Sequence, residues 1–385
     1  MKRDVFPDYR TLLYQAILLV LAGGLAFAIF HTTQTNLERL GVHSGFDFLW
    51  LRAGFEIGQS LISYGPDSPI IAALWVAFLN TLLLAVVSIC LSTILGFAIG
   101  ISRLSGNWLL SQAAKAYVEF FRNIPVLLQI FFWYFIVLRA LPGTQNSYRF
   151  FEAIFLSNRG LFLPSPVLKE GFWFALALVV MVFVACLALH RWMKQRRGEI
   201  NGHVWRNYAR VGLMTIVLMF FVWFAGSFVS WEIPSLGRFS YQGGMVLTPE
   251  FVALAFGLAI YNASYIAEIV RSAIQSIPRG LVEAAESLGL RKTAILRLVT
   301  LPLALRVIMP PLTTVYLNIF KSTSLAAAIA YPDVMSVFVG TVNNLIGQPL
   351  EIMTVTLVSY AFVAFALSLL MHLYSKKQAL KSGEK

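Results

Sequence analysis

Charge is what this 385-residue chain has least of: Asp, Glu, Lys and Arg make up 12% of it, against 58% hydrophobic residues. A soluble domain carries about a quarter charged residues, so two or three globular surfaces cannot be dressed from this composition. The apolar excess, with mean hydropathy +0.74, equally excludes a disordered chain. Cysteine is nearly absent. Cys90 and Cys186 both lie in apolar runs without a ligand-spaced neighbour, which removes a disulfide framework and a thiolate metal site. The five histidines (His31, His43, His190, His203 and His372) are scattered, with no two at helical i, i+4 spacing, so no metal or general-base cluster is expected. No G-x-x-x-x-G-K-[ST] run exists to cradle ATP phosphates. No paired carboxylates or nucleophile elbow mark a reaction centre, so the chain reads as a non-enzyme.

What is present is a series of apolar runs near 12–30, 72–100, 116–140, 171–190, 208–229, 249–271, 303–320 and 354–374. Each approaches the ~20 residues that cross a bilayer. The fold class expected is all-α, a polytopic membrane protein with about eight spans and both termini on one side. Basic residues choose that side. Lys and Arg in 2–10, 103–122, 191–210, 271–306 and the tail account for 22 of the 30 basic residues, and positive-inside bias makes those segments cytoplasmic. The net charge of +12 is thus mostly a topology signal, and a nucleic-acid partner is not expected. The first run is longer than a usual signal-peptide core and reads as a retained span. Residues 46–62 suit either a helix lying in the membrane interface or a loop packed on the spans. Residues 141–170 and 230–248 are rich in Pro, Gly, Asn and Ser, and read as outward connections. Spans four and five, with almost no polar residues inside, look like structural additions around a working core.

One cytoplasmic loop stands apart. In residues 276–302, Pro278 suits a helix start. Leu281, Ala284, Ala285 and Leu288 then fall at i, i+3, i+4 and i+7 on one apolar face. Glu283 and Glu286 take the other face, and Gly289 sits where a left-handed C-cap ends a helix. A second short helix through Ile295 and Leu298 is expected to stop at Leu301-Pro302. Helices this short are marginal alone. They dock either on a separate protein or under the chain's own spans.

Glu283-Ala284-Ala285, then Gly289, Val299 and Leu301-Pro302 at their spacings, resemble the EAA loop of ABC importer permeases. Val299 stands where that loop often has Ile. Segments at Asn80-Thr81-Leu82, Glu119–Pro125, Tyr265–Arg271 and Lys321–Leu325 narrow the likeness to polar amino acid uptake permeases. The first span, the segment Phe46–Tyr64 and the inserted fourth and fifth spans are similar to the Q-type permeases of general L-amino acid transporters. The resemblance implies a type I ABC importer fold: a five-span core (spans two, three, six, seven and eight) plus three extra spans. It divides the chain at 1–70 (first span and outer segment), 71–140 (core spans two and three), 141–248 (insertion), 249–375 (core spans six to eight with the loop 276–302) and 376–385 (tail). It also implies an inner-membrane transport subunit with a partner ATPase dimer docked at 280–302 through Glu283, Ala284, Ala285, Gly289, Leu301 and Pro302. A second permease chain as heterodimer partner, an external solute-binding protein and an L-amino acid substrate complete the implied assembly. No cofactor is expected in this chain; ATP and Mg belong to the ATPase. A gradient-driven secondary amino acid transporter is the alternative, but it leaves the loop without a purpose.

Polar residues inside the spans supply further candidates. Glu119 with Arg122, and Glu268 with Arg271, are spaced to form ion pairs at cytoplasmic helix ends. They are either gates or anchoring bridges. Asn80, Asn262, Ser264, Tyr265, Thr313, Thr314 and Asn318 offer the donors and acceptors a zwitterion needs, or tie helices together. Lys321, Ser322 and Thr323 precede a short apolar run ending at Pro332. Thr323 or Ser324 as N-cap would start a new helix there, with exposed amides and Lys321 meeting a substrate carboxylate. The other role for Lys321 is to snorkel to the outer interface.

Overall fold

The computed structural model describes residues 9–39, 45–195, 217, 219–224, 226–238 and 240–380. The long apolar runs form helices, because a bilayer leaves backbone amides no partner but their own chain. With the shorter helices between them, the described helices are α1 (Tyr9–Arg39), α2 (Ile70–Ser102), α3 (Trp108–Asn123), α4 (Val126–Ala140), α5 (Phe172–Gln195), α6 (Pro249–Gln275), α7 (Arg279–Ser287), α8 (Lys292–Ile295), α9 (Leu301–Ser322), α10 (Asn343–Ile346) and α11 (Pro349–Leu380). Among the described residues, five helical stretches are long and apolar enough to cross a membrane: Leu13–Thr33, Ile70–Ser102, Pro249–Gln275, Thr293–Ile329 and Pro349–Leu373. Phe172–Cys186 is a shorter apolar helix at the expected fourth span. Half of the expected span at 208–229 and most of the basic hairpin 191–210 fall outside the described residues.

The third expected span, 116–140, is not one helix. It breaks between α3 and α4, where Ile124 adopts an extended backbone (φ −101°, ψ 128°). Pro125 disfavours helical geometry in the residue before it and offers no N–H of its own. The second helix of the cytoplasmic loop also departs from expectation, since it does not stop at Leu301-Pro302. Instead α8 widens into a π turn over Leu296–Thr300, where Leu301 N–H bonds back to Leu296 O, and continues as α9. Pro302 has no N–H with which to continue the α-helical ladder, and the wider turn falls immediately before it.

The chain forms two compact units, Met1–Pro125 with Leu258–Lys385, and Val126–Gly257. The first unit has two apolar cores. One joins Ile70, Ala73 and Ala77 of α2 to Val334, Val337, Phe338, Val342 and Ile352. Residues 46–62 pack onto it through Phe48, Ala53, Phe55 and Ile57. Only Asp47–Trp50 is helical there, a single 3-10 turn, so this segment is a packed loop and not an interfacial helix. Gly54, at φ +74°, is incompatible with a continuing helix. The other core sets Ile266, Val270 and Ala273 of α6 against Ala304, Ile308, Leu312, Val315 and Ile319 of α9. Close approach of α2 to α6 completes it. A Cβ at Gly96 would lie 2.5 Å from Ile266 Cβ, and one at Gly100 would lie 2.8 Å from Ala267 O. Small residues four apart bring backbones together where hydrophobic exclusion from water cannot drive association.

In the second unit the connections expected as loops contain short strands. A four-stranded antiparallel sheet runs β1 (Tyr148–Phe150), β2 (Ile154–Ser157), β3 (Gly160–Leu163) and β8 (Met245–Leu247), in that spatial order. Two further pairs are β4 (Ser165–Leu168) with β5 (Val229–Glu232), and β6 (Ser235–Leu236) with β7 (Tyr241–Gln242). Phe155 and Phe162 close on the Tyr241 ring, whose hydroxyl lies 2.6 Å from Ser147 Oγ. The alternation of buried and half-buried residues along β2 and β3 is the period-2 signal, overshadowed in the sequence by the turn formers around it. The chain remains mostly helical.

Candidate functional site

The 276–302 segment folds as an elbow. Pro278 precedes α7, and the helix closes in a Schellman turn: Leu290 N–H bonds to Ala285 O at 3.3 Å and Gly289 N–H to Glu286 O at 2.8 Å. Gly289 has φ +72°, and a Cβ there would meet nothing. Its requirement is therefore conformational, not steric. The expected apolar face divides. Ala285 turns inward and is buried, as is Ile295 of α8. Leu281, Ala284 and Leu288 stay exposed, Leu288 by 80%. Glu283 and Glu286 line a cleft of about 670 Å³ together with Gln275, Arg279, Val282 and Thr300. Leu301 and Pro302, also exposed, begin α9, which continues directly from this elbow.

The two expected ion pairs fare differently. Glu119 does not pair with Arg122. It faces Lys115, 3.8 Å away along its own helix and well exposed. The Arg122 guanidinium instead lies 4.9 Å from the Tyr265 ring centroid, a cation–π contact that a spacing rule cannot weigh. Tyr265 in turn shares a 2.9 Å hydroxyl contact with Tyr261. Glu268 and Arg271 do pair, and Glu268 has a second partner. Arg103, just beyond the end of α2, bonds Oε2 of the same carboxylate, while Arg271 Nε reaches that oxygen at 3.2 Å. Arg271 also holds Gln275, which lines the elbow's cleft. Arg103 enters the sequence reading only through its charge, because its partner lies 165 residues away.

The candidate substrate residues separate by exposure. Thr314, Asn318 and Lys321 are exposed and fall at i, i+4 and i+7, one stripe along α9. Ser322 and Tyr265 are half-buried, as is Thr313, whose hydroxyl bonds back to Met309 O. Asn80, Asn262, Ser264 and Thr323 are sealed, so they do not line an open path in this conformation. Asn262 and Ser264 bond back to Leu258 O and Tyr261 O of their own helix. The expected new helix start at 323 does not form. Thr323 Oγ1 donates to Phe320 O and Ser324 Oγ to Lys321 O, and the chain continues from α9 as a 3-10 helix to Ile329. Back-bonded hydroxyls prolong the helix where a capping hydroxyl would have begun another.

Asn80 belongs to a buried polar knot. Its Nδ2 donates to Gln59 O at 2.8 Å and to Pro332 O at 3.0 Å. Tyr331 Oη donates to Asn80 O at 3.1 Å, and Thr81 Oγ1 accepts from Val334 N–H. Next to them Asp333, fully buried, accepts from Ser336 N–H and from Tyr360 Oη, each at 2.8 Å. Burial pushes its carboxyl up to about 6, against hydrogen bonds from Ser336 and Tyr360 that pull the other way. Asp333 is absent from the sequence-derived candidates, although a lone carboxylate between apolar runs was the available signal.

Residues 201–379 match the family described as binding-protein-dependent transport system inner membrane component. The putative amino-acid ABC transporter permease protein YhdX of Escherichia coli is 45% identical over 375 residues, covering 97% of this chain and 95% of its own length. The general L-amino acid transport system permease protein AapQ of Rhizobium johnstonii is 43% identical, covering 97% and 93%. The glutamate/glutamine/aspartate/asparagine transport system permease protein BztB of Rhodobacter capsulatus is 34% identical, covering 97% and 94%.

Proposed function

Because the chain belongs to the family of binding-protein-dependent transport system inner membrane components, we propose that it is the permease subunit of an ATP-driven importer of L-amino acids. It spans the inner membrane several times and hydrolyses nothing itself. ATP and Mg are bound by a separate ATPase dimer, a second permease chain completes the passage, and an external binding protein delivers the substrate. Both termini lie in the cytoplasm, as the basic segments favour.

The observation that carries this reading is the elbow. A nine-residue helix presents exposed Leu281, Ala284 and Leu288, is capped by a Schellman turn, and continues through a π turn into a span. Such a helix has little reason to expose leucines unless another protein covers them. Closure of the ATPase dimer pushes α7, and α9 moves with it. The Glu268–Arg271 pair and its Arg103 partner act as the inner gate, and the Thr314–Asn318–Lys321 stripe lines the path. Replacing Lys321 with Met lowers uptake sharply while the complex still assembles; undiminished uptake removes Lys321 from the path.

The decisive experiment is reconstitution of the purified complex in liposomes. Uptake requires ATP and the binding protein and ignores ion gradients. Uptake driven by an ion gradient without ATP would instead establish a secondary transporter. Ala284→Cys cross-links to the ATPase; failure to capture it removes the elbow's assigned role.

A further inference from the structure

The β1–β2 hairpin of the second unit carries an anomaly that the transport reading does not use. Ala153 N–H bonds to Phe150 O at 3.2 Å, closing a turn whose central residues are Phe151 and Glu152. Both have positive φ, 52° and 53°. Turns of this hand match the twist of hairpin strands, and they favour Asn-Gly because side chains crowd the backbone there. A phenylalanine in that conformation is strained. Packing within the chain does not compensate, since Phe151 is 94% exposed. Tyr148 and Phe150, alternate residues of β1, are 55% and 48% exposed. β1 is also the edge of its sheet, a place where exposed aromatics invite association.

We propose that this hairpin tip is a membrane anchor, with Phe151, Phe150 and Tyr148 seated in the phospholipid interface. Three observations favour lipid over a protein partner. Firstly, the sheet is tethered to apolar helices on both sides: Tyr148 follows the end of α4 at Ala140 by eight residues, and β8 ends at Leu247 just before α6 opens at Pro249. At about 3.5 Å per residue the strands cannot travel far from the membrane surface. Secondly, α5 opens with Trp173 and Phe174, both exposed, the composition of an aromatic interface belt. Thirdly, Arg149, two residues before Phe151 in β1, is exposed, and its guanidinium suits headgroup phosphates. Phe150 and Phe151 themselves offer no polar atom for directional recognition. They suit burial in acyl chains.

The test uses the full chain in phospholipid nanodiscs, with Cys90→Ala and Cys186→Ala and a nitroxide attached at Phe151→Cys. The expected result is stronger relaxation by molecular oxygen than by a water-soluble nickel chelate. The reverse order, or shielding from both reagents without any partner, overturns the proposal. Shielding that appears only when the external binding protein is added also overturns it and identifies a protein docking site. A second variant separates anchoring from folding. Phe151→Asn with Glu152→Gly relieves the turn while removing the aromatic, so a label at Tyr148→Cys returns to water and the melting temperature holds or rises. An unchanged Tyr148 depth, or a lowered melting temperature, counts against Phe151 as the anchor.

Discussion

Toward the N-terminal end of α2, Asn80 and Thr81 are locked into a knot with Gln59, Tyr331 and Pro332, largely closed to solvent and beside the buried, hydrogen-bonded carboxyl of Asp333. Past the other end, Arg103 shares the Glu268 carboxylate with Arg271, and all three side chains remain partly open to solvent. The first arrangement joins neutral groups through directional hydrogen bonds in a low-dielectric interior, where every lost partner is costly. The second joins formal charges in a half-buried setting, where one carboxylate is shared between two guanidinium groups. A sealed knot suits a fixed point and an open triad suits a moving one. Transport by alternating access needs both.

The sharpest challenge to that contrast is Asn80→Leu. It strips the donor from the buried carbonyl of Gln59 and the part-buried carbonyl of Pro332, and is expected to cost about 4 kcal/mol, read as a large fall in melting temperature. A loss below about 1 kcal/mol would show that the knot is no more fixed than the triad. Asp333 provides the next largest effect. Its carboxyl is raised to about 6 from 3.8 by burial, and it lies between the spans Thr293–Ile329 and Pro349–Leu373. The folded protein therefore holds a proton more tightly than the unfolded one. Stability is highest when the group is protonated in both states. It falls as pH rises through the window from about 4 to 6, by up to about 3 kcal/mol. Asp333→Asn keeps acceptor and donor positions for Ser336 and Tyr360 and should flatten the melting temperature across that window. The same slope in the variant would assign the dependence to other groups.

How far the sequence reveals these regions depends on how local their causes are. Gly289 and Pro278 are legible because cap and turn chemistry act within a few residues, and α7 begins and ends where they place it. The break at Pro125 follows equally local rules, but a run of apolar residues through 116–140 masks it. The Arg103–Glu268 bond and the Asn80–Pro332 bond are not legible, because each joins residues more than 160 apart along the chain. Spacing finds Glu119 with Arg122 as readily as Glu268 with Arg271. Only the neighbouring helix reveals that Arg122 has the Tyr265 ring to lie against. Exposure is similarly non-local: Asn80 and Asn318 are the same residue type in comparable helices, yet one is sealed and the other open.

The remaining two tests act on the charged side. Glu268→Gln leaves Arg103 and Arg271 facing a neutral amide. Because the carboxylate is half-buried and shared by two charged partners, stability should fall by about 2 kcal/mol. On the gate reading, uptake should fall roughly tenfold, the equivalent of about 1.4 kcal/mol in the rate-limiting step. A large loss of stability with normal uptake per folded molecule would make the triad a structural lock like the knot. Glu119→Gln is the control of matched spacing. Its carboxylate meets only Lys115, at 3.8 Å on an exposed helix face, so removal should shift stability by less than about 0.5 kcal/mol and leave uptake intact. If Glu119→Gln instead impaired uptake as much as Glu268→Gln, without unfolding the protein, a second carboxylate on α3 would share the gating. The distinction between a paired and an unpaired Glu-x-x-Arg would then fail, since a partner reached only in another conformation would outweigh the partner seen in this one.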